Sequence, residues 1–269
     1  MPEGDTVWLA ARRMDAALAG KPLLRTDFRI PQLATADLSG QQVTEVASRG
    51  KHLLTRLSGG STLHTHFKME GSWHLYPPRA RWTGGPAWQV RVVLEVPDRI
   101  AVGYRLALVD ILPTKAESEV VGHLGPDLLD DARWDQDEAI RRLLAEPARE
   151  LGPALLDQRN LAGIGNLYKT ETLFLSGLTP WVTVADAPDL PAVVRRARRL
   201  LAANRNHWEQ TTTGSTRRGD DHWVFERRRC RRCDGPVLTA GQGEPGFERI
   251  SYWCPRCQAG PGPVSPAAG

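Results

Sequence analysis

The first 229 residues of this 269-residue chain contain no cysteine; the four thiols are Cys230, Cys233, Cys254 and Cys257. A domain stapled by disulfides spreads its cysteines through the fold, so this distribution argues against such a framework and favours a metal. No run approaches the roughly 18 apolar residues of a membrane-spanning helix. The opening carries acidic Glu3 and Asp5 and lacks the basic-then-apolar order of a secretory signal. No internal repeat is evident, which argues against a solenoid. These absences predict a cytoplasmic protein with no membrane partner.

What is present is a globular composition. Hydrophobic residues make up 41%, enough for real cores and unlike a disordered chain. The length exceeds one compact core, so two domains and a small module are expected. The net charge is only +4 with a pI near 9.0. Arginine dominates the cations and suits bidentate phosphate contacts, so a nucleic-acid partner is permitted.

Periodicity divides the chain. Residues 5–19 read as a helix with Val7, Ala10, Ala11, Met14 and Leu18 on one face, capped by Asp5 or Thr6 and stopped by Gly20 and Pro22. From about 23 to 112 the pattern is β. Strands are predicted at 43–46, 52–57, 62–66, 72–76, 88–96 and 100–108, with a turn at Pro97-Asp98-Arg99. Many short strands with glycine turns indicate an antiparallel sandwich. After about 124 the pattern turns helical, with helices expected at 135–144, 150–157, 165–176 and 190–204. The polar stretch 211–221 reads as a linker or mobile loop, and the tail 259–269, rich in Pro, Gly and Ala, reads as disordered. The expected class is α+β and multidomain: an N-terminal antiparallel β-sandwich with a flanking helix (1–122), a helical domain (123–221) and a C-terminal zinc-ribbon hairpin (222–258).

Four stretches carry chemistry. Met1-Pro2-Glu3-Gly4 comes first. Removal of Met1 would leave Pro2 with a secondary amine, a good nucleophile toward an aldehyde-like carbon, with a carboxyl beside it to move protons. An α-amino group has a pKa of about 8, so a usable neutral fraction exists at neutral pH. Cys230-x2-Cys233 and Cys254-x2-Cys257 have the spacing of a four-thiolate zinc site on a hairpin. Such a closed site is structural, and the arginines around it offer phosphate contacts. In Gly163-Ile164-Gly165-Asn166 the glycines expose amides at a helix start, a phosphate-binding arrangement to which Asn166 adds a donor. Lys51 sits in the turn Arg49-Gly50-Lys51-His52, placed to hold a phosphate or move a proton. Met69, in His66-Phe67-Lys68-Met69-Glu70-Gly71, is either a core residue at a strand end or an apolar wedge that fills the hole left by an extruded base.

Taken together, the sequence resembles the formamidopyrimidine-DNA glycosylase and endonuclease VIII family of bifunctional repair glycosylases. The resemblance rests on the Met1-to-Gly4 opening, Arg49-Gly50-Lys51, the Met69 loop, Leu124-Gly125-Pro126-Asp127-Leu128-Leu129, Leu155-Leu156-Asp157-Gln158, Ala162 to Asn166 and the cysteine hairpin with Arg249 five residues before Cys254. Pro2-Glu3-Gly4 and Tyr252-Trp253-Cys254-Pro255 look like the endonuclease VIII branch; Asp5-Thr6-Val7-Trp8 looks like its actinobacterial second type. The resemblance implies a helix–two-turn–helix motif in the helical domain. It also implies that the Pro2 amine attacks C1′ of the damaged nucleotide, Glu3 supplies a proton during base loss, and Lys51 assists β-elimination. Arg249 would hold the lesion phosphates and assist δ-elimination, and Asn166 would bind the backbone. Lys68 and Met69 fall where the family inserts void-filling residues. The chain departs from the endonuclease VIII pattern at Lys68-Met69-Glu70, where Gln-Leu-Tyr is usual, and at His123, where arginine is expected.

The function that follows is a base-excision-repair glycosylase and abasic-site lyase for oxidised pyrimidines in double- or single-stranded DNA. It would be a monomer with one structural zinc ion and no small-molecule cofactor. The alternatives are an oxidised-purine glycosylase and a non-catalytic zinc-ribbon DNA-binding protein.

Overall fold

The computed structural model describes residues 2–217 and 219–263 and divides into two compact units, Met1–His123 and Leu124–Gly269. In the first, α1 (Gly4–Leu18) precedes eight strands: β1 (Arg25–Phe28), β2 (Val43–Arg49), β3 (His52–Leu57), β4 (Ser61–His66), β5 (Ser72–Tyr76), β6 (Val90–Val96), β7 (Arg99–Tyr104) and β8 (Leu108–Pro113). They form two antiparallel four-stranded sheets, ordered β1-β6-β7-β5 and β2-β3-β4-β8. The expected sandwich is therefore present.

Strand alternation builds its core. Val92, Leu94 and Val96 from one sheet, and Leu53, Leu57 and Leu63 from the other, share a cluster with Val7, Ala10, Met14 and Leu18 of α1. The opposite face of β6 is also covered, where Val90 and Val93 pack with Tyr76, Val102 and Tyr104. Burial on both faces explains the nearly continuous apolar run in β6.

Three local expectations are corrected here. The first helix begins at Gly4 with Glu3 at its N-cap, so neither Asp5 nor Thr6 caps it; Asp5 lies inside the first turn, where its charge suits the helix dipole. Trp88 stands outside β6 in a short 3-10 turn, 73% exposed. The strand expected at 100–108 breaks after Tyr104. Arg105 adopts a left-handed φ of 48°, and the chain enters the second sheet as β8. Beyond the bend the Leu106 side chain packs back over Gly103, where a Cβ would stand 2.5 Å from Leu106 Cδ1. A further helix, α2 (Glu117–Val121), was not foreseen; the Glu117 carboxylate takes a bidentate hydrogen bond from Arg56 and accepts from Thr62 Oγ1 at 2.7 Å.

The second unit carries α3 (Gln136–Leu143), α4 (Leu151–Leu156), α5 (Asn166–Ser176) and α6 (Leu190–Asn204), followed by the hairpin β9 (Leu238–Gln242) and β10 (Arg249–Trp253). Asp135 and Asp189 cap α3 and α6 through their carboxylates, and Gly177 ends α5 at φ 70°. The stretch 211–221 is a closed loop, not an open linker: Thr212 N donates to Asp221 O at 2.8 Å, which joins its two ends. The tail expected to be disordered from 259 is ordered at its start. Ala259 N donates to Gly177 O at 2.8 Å, Thr179 N to Ala259 O at 3.0 Å, and Thr179 Oγ1 to Pro261 O at 2.7 Å. Residues 264–269 lie outside the described part. Among the described residues no helix is long and apolar enough to cross a membrane.

Candidate functional site

Each unit gathers part of the predicted site. In the first, Glu3 has extended backbone at the mouth of α1, and its carbonyl accepts from Val7 N at 3.1 Å. Its side chain is sealed at 1% exposure while Pro2 stays half-buried. The helix thus anchors a proline nitrogen beside an occluded carboxyl, at the end where the helix dipole is positive.

Lys51 is presented by the two-residue turn between β2 and β3, in which Arg49 pairs with His52. Gly50 supplies the left-handed φ of 57° this turn requires. The register then places His52 opposite His66 and His64 two residues along β4, on the sheet face away from the core. His52 Nδ1 lies 2.8 Å from His64 Nε2, and the His52 and His66 rings meet edge to face at 4.9 Å. Burial first, then the charges around it, holds His52 neutral, with its pKa lowered to about 3; the neighbours are His66, His64, His123 and Lys68. His66 falls to about 4 for the same first reason, then through Lys68, Lys51 and His64. Burial also lowers His64, whose Nδ1 is a buried atom without a hydrogen-bond partner, against the opposing pull of Asp110 and Glu117. Lys51, in the turn into β3, and Lys68, whose N–H bonds His66, thus flank a histidine cluster whose electrostatic neighbours also include His123. Sequence reasoning missed that cluster. Its signal was the i, i+2 spacing of His64 and His66 facing His52 across a glycine turn.

The Lys68–Met69 loop rests on the same cluster. Lys68 has φ 53°, and its N–H donates to His66 Nδ1 at 2.9 Å. Met69 is 51% exposed, so it is not the core residue of the simpler reading. Arg105 Nε donates to Glu70 O at 3.1 Å, tying the loop to the bend that ends β7.

In the second unit, the turn before α5 is pinned by Gln158. Its amide donates to Leu156 O and Ile164 O at 2.8 and 3.0 Å and accepts from Gly163 N at 3.0 Å. Leu128 N and Ala162 N bond to Ala162 O and Pro126 O, joining the 124–129 stretch to this turn. Asn166 opens α5, and its Nδ2 donates to Ile250 O at 2.9 Å. Arg249, exposed, is the next residue back on that strand. It borders a cleft of about 650 Å3 lined also by Arg149, Glu150, Asp157 and Glu244.

The four cysteine sulfurs all lie within 4.8 Å of one another, with Cys230–Cys257 at 3.8 Å and Cys233–Cys254 at 3.5 Å. Metal–sulfur bonds of about 2.3 Å in a tetrahedron put ligand sulfurs roughly 3.8 Å apart, so this cluster is sized to hold a metal ion. The surrounding arginines are less free than their number indicated. Arg229 pairs with Asp234 at 2.8 Å, Arg231 pairs with Asp220, and Arg232 lies 4.4 Å over the Phe174 ring.

Residues 1–111 match the formamidopyrimidine-DNA glycosylase N-terminal domain, and residues 124–202 match the formamidopyrimidine-DNA glycosylase H2TH domain. The chain belongs to the formamidopyrimidine-DNA glycosylase and endonuclease VIII family. It is 55% identical to the probable endonuclease 8 2 of Streptomyces coelicolor, covering 98% of this chain and 96% of that one. It is 45% identical to the DNA-(apurinic or apyrimidinic site) lyase Nei2 of Mycolicibacterium smegmatis, over 96% and 99%. The fold of the family is shared with the Lactococcus lactis formamidopyrimidine-DNA glycosylase bound to DNA containing an abasic site. That likeness has a TM-score of 0.78 at 18% identity, over 96% of this chain and 99% of that one.

Proposed function

We propose that this protein is a bifunctional DNA glycosylase and abasic-site lyase of base excision repair, acting on oxidised pyrimidines. The observation that carries the reading is the seating of Pro2: a proline nitrogen at the start of a core-packed helix, next to a Glu3 carboxyl sealed from solvent. Once Met1 is removed, the neutral Pro2 amine attacks C1′ of the damaged nucleotide. The N-glycosidic bond breaks, the base leaves with a proton, and the sugar ring opens to an iminium on the Pro2 nitrogen. Glu3 serves as the proton donor and acceptor. The iminium acidifies the C2′ hydrogen; its loss pushes electrons toward C3′ and expels the 3′ phosphate. A second elimination breaks the C5′–O bond and releases the 5′ phosphate.

In this reading Lys51, Lys68 and His123 grip phosphates in the first unit, and Asn166 and Arg249 do so in the second. Met69 fills the gap left by the extruded base. A structural zinc ion held by Cys230, Cys233, Cys254 and Cys257 ties the hairpin that presents Arg249 and takes no part in the chemistry. The protein would act as a cytoplasmic monomer, and its affinity for DNA should fall steeply with salt.

Borohydride trapping with abasic-site DNA tests the assignment. The wild-type protein should give a covalent adduct, and Pro2→Gly should lose most of it. Absence of an adduct with fully processed protein would leave the DNA-binding reading instead. The exposed Met69 favours a second reading, oxidised-purine excision, since it resembles the wedge of the formamidopyrimidine branch. A lesion panel on single- and double-stranded DNA decides between them: faster release of oxidised guanine opposite cytosine than of oxidised thymine would reverse the preference.

A further inference from the structure

Lys169 lies one helical turn after Asn166 on α5 and is completely buried, an unusual place for an ammonium group. Its Nζ donates to Ser251 Oγ at 2.7 Å. Ser251 Oγ in turn bonds Gln242 Oε1 at 2.8 Å, and Gln242 Nε2 donates to Glu150 Oε2 and to Pro180 O, both at 2.8 Å. Ser251 and Gln242 are buried as well. The direction of this chain is forced. An ammonium only donates, so Ser251 Oγ must accept from it, and its own proton must point to the Gln242 carbonyl oxygen. That turns the Gln242 amide so that its NH2 faces Glu150. Gly152 leaves the space, because a Cβ there would stand 2.4 Å from Gln242 Oε1.

Two members of the chain stand close to Arg249 in the hairpin. Gln242 is the cross-strand partner of Arg249 in the β9–β10 register, and Ser251 is two residues along the same strand. Asn166, on the face of α5 that also carries Lys169, holds the intervening Ile250 carbonyl. Two hydrogen bonds thus tie helix α5 to strand β10 among the described residues, one from the Asn166 amide and one from the buried Lys169.

The geometry points to Lys169, Ser251 and Gln242 as positioning residues that set Arg249 relative to Asn166 and thereby govern the second elimination. The inference rests on the reading of Arg249 and Asn166 as phosphate-holding groups. Their role is to fix the strand on which Arg249 stands: a polar chain whose donors and acceptors run one way tolerates no shift of that strand without leaving a buried group unpaired.

The test uses the full-length, zinc-loaded protein. Lys169→Met keeps the volume and removes the donor. It should lower the ratio of δ- to β-elimination product at least fivefold on abasic-site DNA. Single-turnover borohydride trapping at saturating DNA should change less than threefold, and zinc content should be unchanged. Ser251→Ala should reproduce the fall, while Ser251→Thr, which keeps the hydroxyl, should restore at least half of the wild-type ratio; this pair carries the test if Lys169→Met fails to fold. An unchanged product ratio in Ser251→Ala, or an equal fall in trapping and in δ-elimination, would overturn the inference. A wild-type protein that traps no adduct would overturn the lyase reading itself, a separate outcome.

Discussion

Asn166 Nδ2 donates to the backbone carbonyl of Ile250 at 2.9 Å, so the residue that opens α5 also holds the hairpin strand carrying Arg249. One side chain links the glycine turn, with its helix-start amides, to the arginine expected to meet DNA phosphates. Asn166→Ala removes this exposed hydrogen bond and, on the proposed reading, a phosphate donor with it. It should weaken binding to abasic-site DNA about tenfold, with thermal stability lowered by roughly 1 kcal/mol. Fluorescence anisotropy and thermal unfolding measure the two. A tighter complex than wild type would remove Asn166 from the interface.

Chelation of a metal held by the four cysteines should unfold the hairpin locally and leave the first unit folded. The reason is that β9 and β10 form a lone two-stranded sheet, marginal without cross-linking. DNA affinity should fall while the near-ultraviolet signal of the sandwich tryptophans persists. Unchanged binding after verified metal loss would show that the hairpin does not need the ion.

Glu171 is fully buried on α5, and its carboxylate accepts from the N–H groups of Trp223, Val224 and Phe225, each at 2.8 Å, and from the Thr212 hydroxyl. Glu171→Gln replaces one acceptor oxygen by a donor facing backbone donors. A loss of about 2–3 kcal/mol is expected, with faster proteolysis within 211–229. An unfolding midpoint within a degree of wild type would contradict this.

Acid should destabilise the first unit through its histidines. His52 and His66 have folded pKa values lowered to about 3 and 4, against roughly 6.5 when unfolded. Between those limits the unfolded chain binds more protons, so stability is complete above about pH 6.5 and is lost as pH falls toward the folded values. His52→Gln should flatten the pH dependence of the unfolding midpoint between pH 7 and 5. A parallel curve would mean that carboxylates, not this cluster, set the acid limit.

Much of the architecture was legible locally. The strand at 52–57 and the helix at 190–204 coincide with β3 and α6, because side-chain period and turn residues are properties of short stretches. The break after Tyr104 was not legible, since neither glycine nor proline marks the left-handed Arg105. The tail at 259–261 was misread because composition does not show that its backbone pairs with Gly177 and Thr179. The apolar–polar alternation that predicts a strand from Trp88 does not show that residues 87–89 form a 3-10 turn ahead of the register shift between Val90 and Val92.

The sequence by itself determined the four-thiolate spacing, the division into a β and a helical region, and the family motifs, all of which depend on residue type and near spacing. Only the tertiary structure decided that His52, His64 and His66 form one neutral cluster, and that Lys51, Lys68 and His123 gather around it. It also decided that a buried lysine reaches strand β10 through Ser251. Those relations join residues as far as 82 positions apart. They arise from strand register and helix packing, which bring side chains together across distances along the chain that no local pattern encodes.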